Sequence, residues 1–169
     1  MMKLLAPTKS EAYKMADRYE VSDEVALWWW ASGNVVEVAL LGGLFVDAVR
    51  TRSAASVVRA ATPLAVERAM VFTSNQLVNR DRPNWWWQRP GKLSPSSTSF
   101  PSGHASNAFL SASLLTHRTS APFLFGLAGL VAATRLIVRV HHPSDIAAGA
   151  VAGVAIGRAL NRWAPVDDQ

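Results

Sequence analysis

Residues 135–145, Arg-Leu-Ile-Val-Arg-Val-His-His-Pro-Ser-Asp, decide the fold because they place charged side chains between two long apolar runs. Pro143 suits the first turn of a helix and disfavours helix just before it, so a helix is predicted to begin near His142. Asp145 then lies in the first turn, four residues after His141. At this offset the carboxylate can accept the Nδ1 proton of the imidazole and leave Nε2 as a nucleophile. The same residues also fit a helix N-terminus with a charged first turn and interfacial histidines.

The composition indicates a small helical membrane protein of one domain. Half of the 169 residues are hydrophobic, seven are tryptophan and only 17% are charged. The net charge of +5 comes mostly from arginine, which binds phosphate oxygens in a bidentate manner. No basic stripe interleaved with exposed aromatics occurs in a polar context, so no nucleic-acid partner is predicted. The absence of cysteine excludes disulfides and thiolate metal sites.

Five apolar segments predict an all-α, integral-membrane bundle of about five spanning helices. Some are short or carry charged residues, whereas a span needs about 20 mostly apolar residues. The predicted bundle occupies residues 34–169, and its segments are 35–49, 54–78, 105–115, 121–140 and 146–163.

The residues before the bundle predict an interfacial segment, 1–33. Residues 9–20 have apolar positions at i, i+3, i+4 and i+7, the pattern of a short amphipathic helix. The three tryptophans at 28–30 are typical of a membrane interface. We therefore expect this segment to lie on the membrane and to replace a first spanning helix.

Three glycines in the last segment predict close helix packing. Gly149, Gly153 and Gly157 are spaced four apart with alanines between them, which forms a ridge of small residues on one face. A tightly packed soluble helix would show the same ridge, but each glycine then costs roughly 1 kcal/mol of helix propensity in water.

Two more motifs are predicted to lie at the same end of the helical bundle as the stretch 135–145. The second segment ends in Asn-Arg-Asp-Arg-Pro at 79–83, and the third begins in Ser-Phe-Pro-Ser-Gly-His at 99–104. The backbone N–H groups of Ser102, Gly103 and His104 can point at an anion where the helix opens. His104 can also protonate a leaving group beside that anion. Each motif alone is compatible with an ordinary helix stop or turn.

The turns on the other side predict the orientation in the membrane. Basic residues there place that side in the cytoplasm by the positive-inside rule, although the motif side also carries cations. The motifs are therefore expected at the extracytoplasmic face of a multi-pass protein of the plasma (inner) membrane. The basic residues of the cytoplasmic side are Arg50, Arg52, Arg59, His117, Arg118, Arg158 and Arg162.

The three motifs resemble those of the type 2 phosphatidic acid phosphatase and haloperoxidase superfamily. That pattern is Lys-X6-Arg-Pro, Pro-Ser-Gly-His and Ser-Arg-X5-His-X3-Asp, and the resemblance covers roughly residues 54–163. The second motif matches fully, and the third matches except at Thr134, where the family has serine.

The resemblance implies a role for each matching residue. His141 is the nucleophile that forms a phosphohistidine, Asp145 orients it, and His104 is the acid and then the base. The phosphate-binding group consists of Arg82, Ser102, Gly103, Arg135 and, at the lysine position, Asn75. No metal or other cofactor is implied, since arginines can neutralise the phosphoryl charge.

Asn75 departs from the family pattern, because asparagine brings no charge to the phosphate. Either one cation is missing, or Arg80, Arg89 or Lys92 supplies it from the neighbouring loop. If one helix ran from residue 75 to residue 82, the two motif positions would share a face.

The predicted function is metal-independent hydrolysis of a lipid phosphate monoester or pyrophosphate. Candidate substrates are a polyprenyl phosphate or pyrophosphate, a phosphatidic acid and phosphatidylglycerophosphate, and the other partners are membrane lipids. The sequence does not determine the oligomeric state. Two alternatives share these motifs: a soluble acid phosphatase or vanadium haloperoxidase-like enzyme, and a catalytically inactive membrane lipid-binding protein.

Overall fold

The computed structural model describes residues 23–50, 54–83 and 98–163, and every regular element in these ranges is a helix. The predicted amphipathic helix at 9–20 lies outside the described residues. The elements are α1 (Asp23–Arg50), α2 (Ala54–Val78), α3 (Gly103–Leu115), α4 (Ala121–Ile137) and α5 (Pro143–Trp163).

The helices alternate in direction, so the bundle has two chemically distinct ends. At one end the amide of Ser102, just before α3, donates to the carbonyl of Asp145 in α5, at 3.0 Å. We call it the motif end. At the other, the opposite end, Asp47 of α1 contacts His117 and Arg118 between α3 and α4. The three sequence motifs therefore meet at one end, as predicted.

Helix α1 begins twelve residues earlier than the apolar segment predicted at 35–49. Tryptophans 28–30 lie inside this helix instead of preceding it, and the division placed after residue 33 falls within its continuous backbone. Tryptophan and the residues around it are compatible with helix, so the aromatic cluster did not end the element.

Helix α2 ends as predicted at Val78, and a left-handed residue ends it. Asn79 has a φ of 41°, and its amide donates to the carbonyl of Asn75 at 3.0 Å. Asparagine adopts this conformation more readily than most residues and often terminates helices. Arg82 therefore lies beyond the helix, and the expectation of one helical face shared by positions 75 and 82 is wrong.

A Schellman turn connects α4 to the stretch that carries His141 and ends α4 three residues before the predicted position 140. The amide of Arg139 donates to Leu136 and that of Val140 donates to Arg135, at 3.0 and 3.2 Å. Arg139 takes the left-handed position with a φ of 54°. Val140, the residue after it, is buried. The turn reverses the chain so that His141 enters the bundle, and α5 begins at Pro143 as predicted.

The predicted glycine ridge packs α5 against α3. A Cβ on Gly149 would collide with the carbonyl oxygen of Ser102, and one on Gly153 with that of Ser106. On Gly157 it would lie 2.5 Å from Cβ of Ser113. The ridge therefore lets two backbones approach, the packing expected of membrane helices.

Apolar side chains cover much of the outer surface of the bundle as well as its core. The core between α1, α3 and α4 includes Leu40, Leu110 and Val131. Within the described ranges, one helical segment, Leu27–Arg50, is long and apolar enough to cross a membrane, and α4 is apolar but shorter. Large apolar side chains exposed on the surface include Phe45, Phe72, Phe123 and Val151.

Candidate active site

The N-terminus of α3 is capped and fixed against α5. Ser102 has extended backbone angles and is the N-cap, and its hydroxyl accepts from the amide of Ala105 at 3.4 Å. Its own amide is already used by the carbonyl of Asp145. Of the three amides predicted to face an anion, that of Ser102 is therefore occupied by the protein itself.

His141 is buried in the turn before α5, and both of its ring nitrogens have neighbours. Nδ1 lies 2.8 Å from the carbonyl oxygen of Ser99, and Nε2 lies 3.2 Å from Nη1 of Arg82. A carbonyl can only accept and a guanidinium can only donate, so the proton is on Nδ1 and Nε2 is unprotonated. The predicted tautomer follows from this geometry.

The predicted partner of Nδ1 is wrong, because Asp145 is not its hydrogen-bond acceptor. Oδ2 of Asp145 lies 3.8 Å from Nδ1 of His141, which is too long for a hydrogen bond. The same oxygen accepts from the amide of His142 at 2.8 Å and lies 3.2 Å from Nδ1 of His142. Asp145 thus caps the first turn of α5, while the carbonyl of Ser99 orients the imidazole of His141.

Arg80 completes the surroundings of Asp145. Its Nη1 donates to Oδ1 of Asp145 and to the hydroxyl of Ser144, both at 2.7 Å, and both charged groups are buried. The carboxylate therefore has partners on both oxygens. The pattern Asn-Arg-Asp-Arg gave no signal that the first arginine would be this partner.

The segment carrying Ser99 is held to the residues that follow α2. The Ser99 amide donates to the carbonyl of Arg80 at 2.8 Å, and its hydroxyl donates to the carbonyl of Asp81 at 3.0 Å. These bonds place the Ser99 carbonyl under the imidazole of His141. Sequence reasoning missed this residue because a backbone acceptor has no residue-type signature.

Burial of the imidazole lowers the pKa of His141 below its ordinary value. Asp145 opposes this effect, and the charge of Arg82 adds to it. Burial also lowers the pKa of Arg82, against the opposing charge of Asp145. His141 is therefore neutral at neutral pH, which is the form that can attack an electrophile.

Arg135 is fully buried at the end of α4. Its Nη2 donates to the carbonyl of Trp30 at 3.2 Å, whereas Nε and Nη1 have no hydrogen-bond partner within the described part of the chain. A side chain at Gly33 of α1 would collide with Thr134 and Arg135, so this glycine makes room for the guanidinium. A buried cation with unused donors is costly unless it binds an anion.

His104 faces a carboxylate that the sequence analysis did not assign to the site. Its Nε2 lies 3.5 Å from Oε2 of Glu37 in α1, and Oε1 of Glu37 accepts from Nδ2 of Asn107 at 3.1 Å. The signal that might have identified Glu37 is a carboxylate within an apolar segment.

Asn75 lies in the last turn of α2, and its predicted contact with the phosphate stays a prediction. Its Oδ1 is buried without a hydrogen-bond partner in the described ranges. Of the cations predicted to replace the family lysine, Arg80 is committed to Asp145, and positions 89 and 92 lie outside the described residues. Arg68 of α2 does reach the site: Cβ placed on Gly103 would lie 3.6 Å from its Nη1.

Metal chemistry has no evident ligand set here. The described residues contain no group of three or more histidine and carboxylate side chains able to hold an ion. The carboxylates near the site, Asp145 and Glu37, are paired with arginine, histidine or amide groups.

Comparison with known proteins gives one family. The family model described as the PAP2 superfamily matches residues 56–168. Decaprenylphosphoryl-5-phosphoribose phosphatase of Mycobacterium tuberculosis is 34% identical over 92 residues, which are 54% of this chain and 52% of the relative. The enzyme of the same name from Mycolicibacterium smegmatis is 34% identical over 118 residues, 70% of this chain and 63% of the relative. The chain thus spans about half to two thirds of the length of the curated relatives it matches.

Two crystal structures share the fold. A transmembrane PAP2 type phosphatidylglycerolphosphate phosphatase from Bacillus subtilis has a TM-score of 0.66 and 16% identity, over 92% of this chain and 83% of that chain. LpxE from Aquifex aeolicus has a TM-score of 0.67 and 21% identity, over 96% of this chain and 99% of that chain. At these identities the likeness concerns the fold alone.

Proposed function

The chain belongs to the PAP2 superfamily, and on that premise we propose that it is a membrane lipid phosphatase acting through a phosphohistidine. The observation that carries the proposal is the unprotonated Nε2 of His141, 3.2 Å from a donor of Arg82, at the end of the bundle where α3 begins. Nucleophile, cations and helix N-terminus converge there, which is the arrangement that phosphoryl transfer requires.

In the first step, Nε2 of His141 attacks phosphorus and the bond from phosphorus to the lipid oxygen breaks. Arg82 and Arg135 neutralise the equatorial oxygens, together with the amide of Gly103 at the α3 N-terminus. The Ser102 hydroxyl, which caps α3, is a further donor within the same turn. His104 gives its proton to the departing oxygen, so the lipid leaves as an alcohol, or as a monophosphate if the substrate is a pyrophosphate.

In the second step, water attacks the phosphohistidine and inorganic phosphate leaves. His104, now neutral, takes the proton of the water, and Nε2 of His141 is freed. Asp145 contributes indirectly in this scheme, because it caps α5 and holds Arg80 while the carbonyl of Ser99 orients the imidazole. Asn75 supplies at most a neutral donor.

The membrane arrangement is part of the proposal. Apolar residues on the outer surface of the bundle support burial in lipid, as does the span candidate in α1. We propose that all five helices lie within the membrane and that the motif end faces outward from the plasma membrane. Helix α3, about 20 Å long for its 13 residues, is shorter than the hydrocarbon core and depends on its neighbours for cover.

The substrate class follows from the relatives and the site together. The names of the curated relatives denote a phosphatase of a polyprenyl-linked phosphosugar, and the structural neighbours include a phosphatidylglycerolphosphate phosphatase. We propose a phosphate group carried on a lipid, read mainly through that phosphate.

The test is phosphate release by detergent-purified protein from a panel of lipid phosphates in micelles. The panel contains decaprenyl phosphate, decaprenylphosphoryl-5-phosphoribose, undecaprenyl pyrophosphate, phosphatidic acid and phosphatidylglycerophosphate. We expect turnover of at least one in EDTA, with inhibition by orthovanadate, which imitates the five-coordinate transition state. Turnover that EDTA abolishes and Mg²⁺ restores, or release from none of them, would contradict the proposal.

A further inference from the structure

We propose that Arg68 supplies the phosphate-binding cation that the family pattern takes from a lysine at the position of Asn75. This inference rests on the proposed function. It concerns a residue outside the three motifs, which the resemblance does not assign to any role.

Helix α2 meets the α3 N-terminus at the turn that carries Arg68. A Cβ on Gly103 would lie 3.6 Å from Nη1 of Arg68 and 3.7 Å from Cγ1 of Val71. Residues 68–71 are therefore level with the amide of Gly103, where the phosphate is expected. Asn75 lies four residues beyond Val71, about 6 Å further along the axis towards the end of α2.

The direction in which helical side chains lean explains how a lysine at position 75 or an arginine at position 68 can reach the phosphate beside Gly103. Side chains on a helix lean towards its N-terminus, so a long lysine at position 75 would reach back to the level of Gly103. Asparagine is too short to do so. Arg68 is seven residues earlier on nearly the same face of the helix and starts at the required level.

The side chain of Arg68 is largely exposed and lies beside a buried carboxylate. Its Nε is 3.7 Å from Oε2 of the fully buried Glu67, which is too long for a hydrogen bond, while the Arg68 side chain is 64% exposed. Its Nη1 lies beside Gly103.

The family pattern places three cations at the phosphate, and this chain lacks the lysine among them. Arg80 cannot replace that lysine, because it is already paired with Asp145. Arg82 and Arg135 leave the site with two cations, and Arg68 restores the three of the family pattern. A cation about two turns earlier on the same helix then takes the place of the motif lysine.

The experiment compares Arg68→Ala, Arg68→Gln and Arg68→Lys, with Arg158→Ala as the matched control, an exposed arginine at the opposite end. The readouts are kcat/KM on the best lipid phosphate of the panel and orthovanadate affinity by calorimetry. Loss of a charge-assisted contact is expected to lower both by about 10- to 100-fold in the alanine and glutamine variants. Arg68→Lys should retain most of the affinity, and the control should match the wild type.

A rescue variant separates a charge role from a structural one. Adding Asn75→Lys to Arg68→Gln should recover part of the loss, because the lysine can reach the same phosphate. Orthovanadate affinity in Arg68→Gln equal to that of the control would overturn the proposal, as would a loss that neither lysine repairs. If the wild type hydrolyses no lipid phosphate and yet orthovanadate binding still depends on Arg68, the proposed function fails and this assignment stands.

Discussion

The two ends of the bundle contain the same types of charged residue, but these residues differ in burial and in how fully they are paired. At the opposite end, Asp47 accepts from Arg118 at 2.6 Å and lies 3.1 Å from His117, and the group is partly exposed. At the motif end, Asp145 is fully buried against Arg80, and the buried Arg135 has two nitrogens without partners among the described residues.

The difference teaches which charges hold the fold and which are kept for a ligand. A paired, exposed group such as that of Asp47 contributes little to stability and needs nothing further. A buried guanidinium with unused donors lowers stability until an anion arrives. The motif end therefore retains an unfavourable arrangement that a phosphate relieves.

The largest expected effect distinguishes one histidine of the motif end, His141, from the histidine of the opposite end, His117. His141→Ala should lower turnover by on the order of 10⁴-fold or more, because the attacking nitrogen is lost. His117→Ala should leave turnover near the wild type, since His117 contacts only the opposite end. Phosphate release by the two purified variants measures this, and comparable turnover by both would remove His141 from the mechanism.

The next comparison concerns what the two carboxylates, Asp145 and Asp47, contribute to the free energy of unfolding. Asp145→Asn leaves the buried Arg80 without its counter-charge and should lower the free energy of unfolding by about 3–5 kcal/mol. Asp47→Asn should lower it by about 0.2–1 kcal/mol, because that group is partly exposed. Denaturant titration in detergent micelles compares them. Equal effects would mean that burial does not distinguish the two ends.

The smallest expected effect is on the pH profile. Burial and Arg82 lower the pKa of His141, so the neutral nucleophile persists below its ordinary value of 6.5. As pH falls through 6.5 the unfolded chain binds this proton before the folded one, so the His141 contribution to stability declines with falling pH. The acid limb of kcat/KM should therefore lie below pH 6.5. An acid limb of kcat/KM at or above pH 6.5 would contradict this assignment.

Local sequence signals were enough to predict where two helices begin and that one helix packs closely against another. Ser102 and Pro143 mark the starts of α3 and α5, and the glycine spacing of α5 predicted the close approach of another helix, which the structure shows to be α3. The start of α1 was missed. The three tryptophans suggested an interfacial cluster before the helix, although tryptophan is compatible with helix and they lie inside it. The end of α4 was misplaced, because a left-handed arginine replaces the glycine usual in a Schellman turn.

The site was less predictable wherever its contacts are long-range. The spacing of His141 and Asp145 suggested a direct pair, but Ser99, 42 residues earlier in the chain, is the acceptor. Its carbonyl could be placed only by knowing how the loop packs on Arg80. Glu37 and Arg68 reach the site from two other helices, and their identity as charged residues in apolar segments did not reveal which face they occupied. The three motifs nevertheless lie at one end, as their order along the chain predicted.

The glycine ridge of α5 makes the separation between two helices, and not only their presence, a condition for the proposed catalysis. His141 and Asp145 are tied to α5, whereas Ser102, Gly103 and His104 belong to α3, and the backbones touch at Gly149 and Gly153. A detergent or lipid of unsuitable thickness that moves α3 from α5 by about 1 Å should lower the proposed turnover by about a hundredfold while every helix stays intact. We expect the circular dichroism of such a sample to be unchanged, so purification conditions should be chosen by turnover or orthovanadate binding and not by helical content.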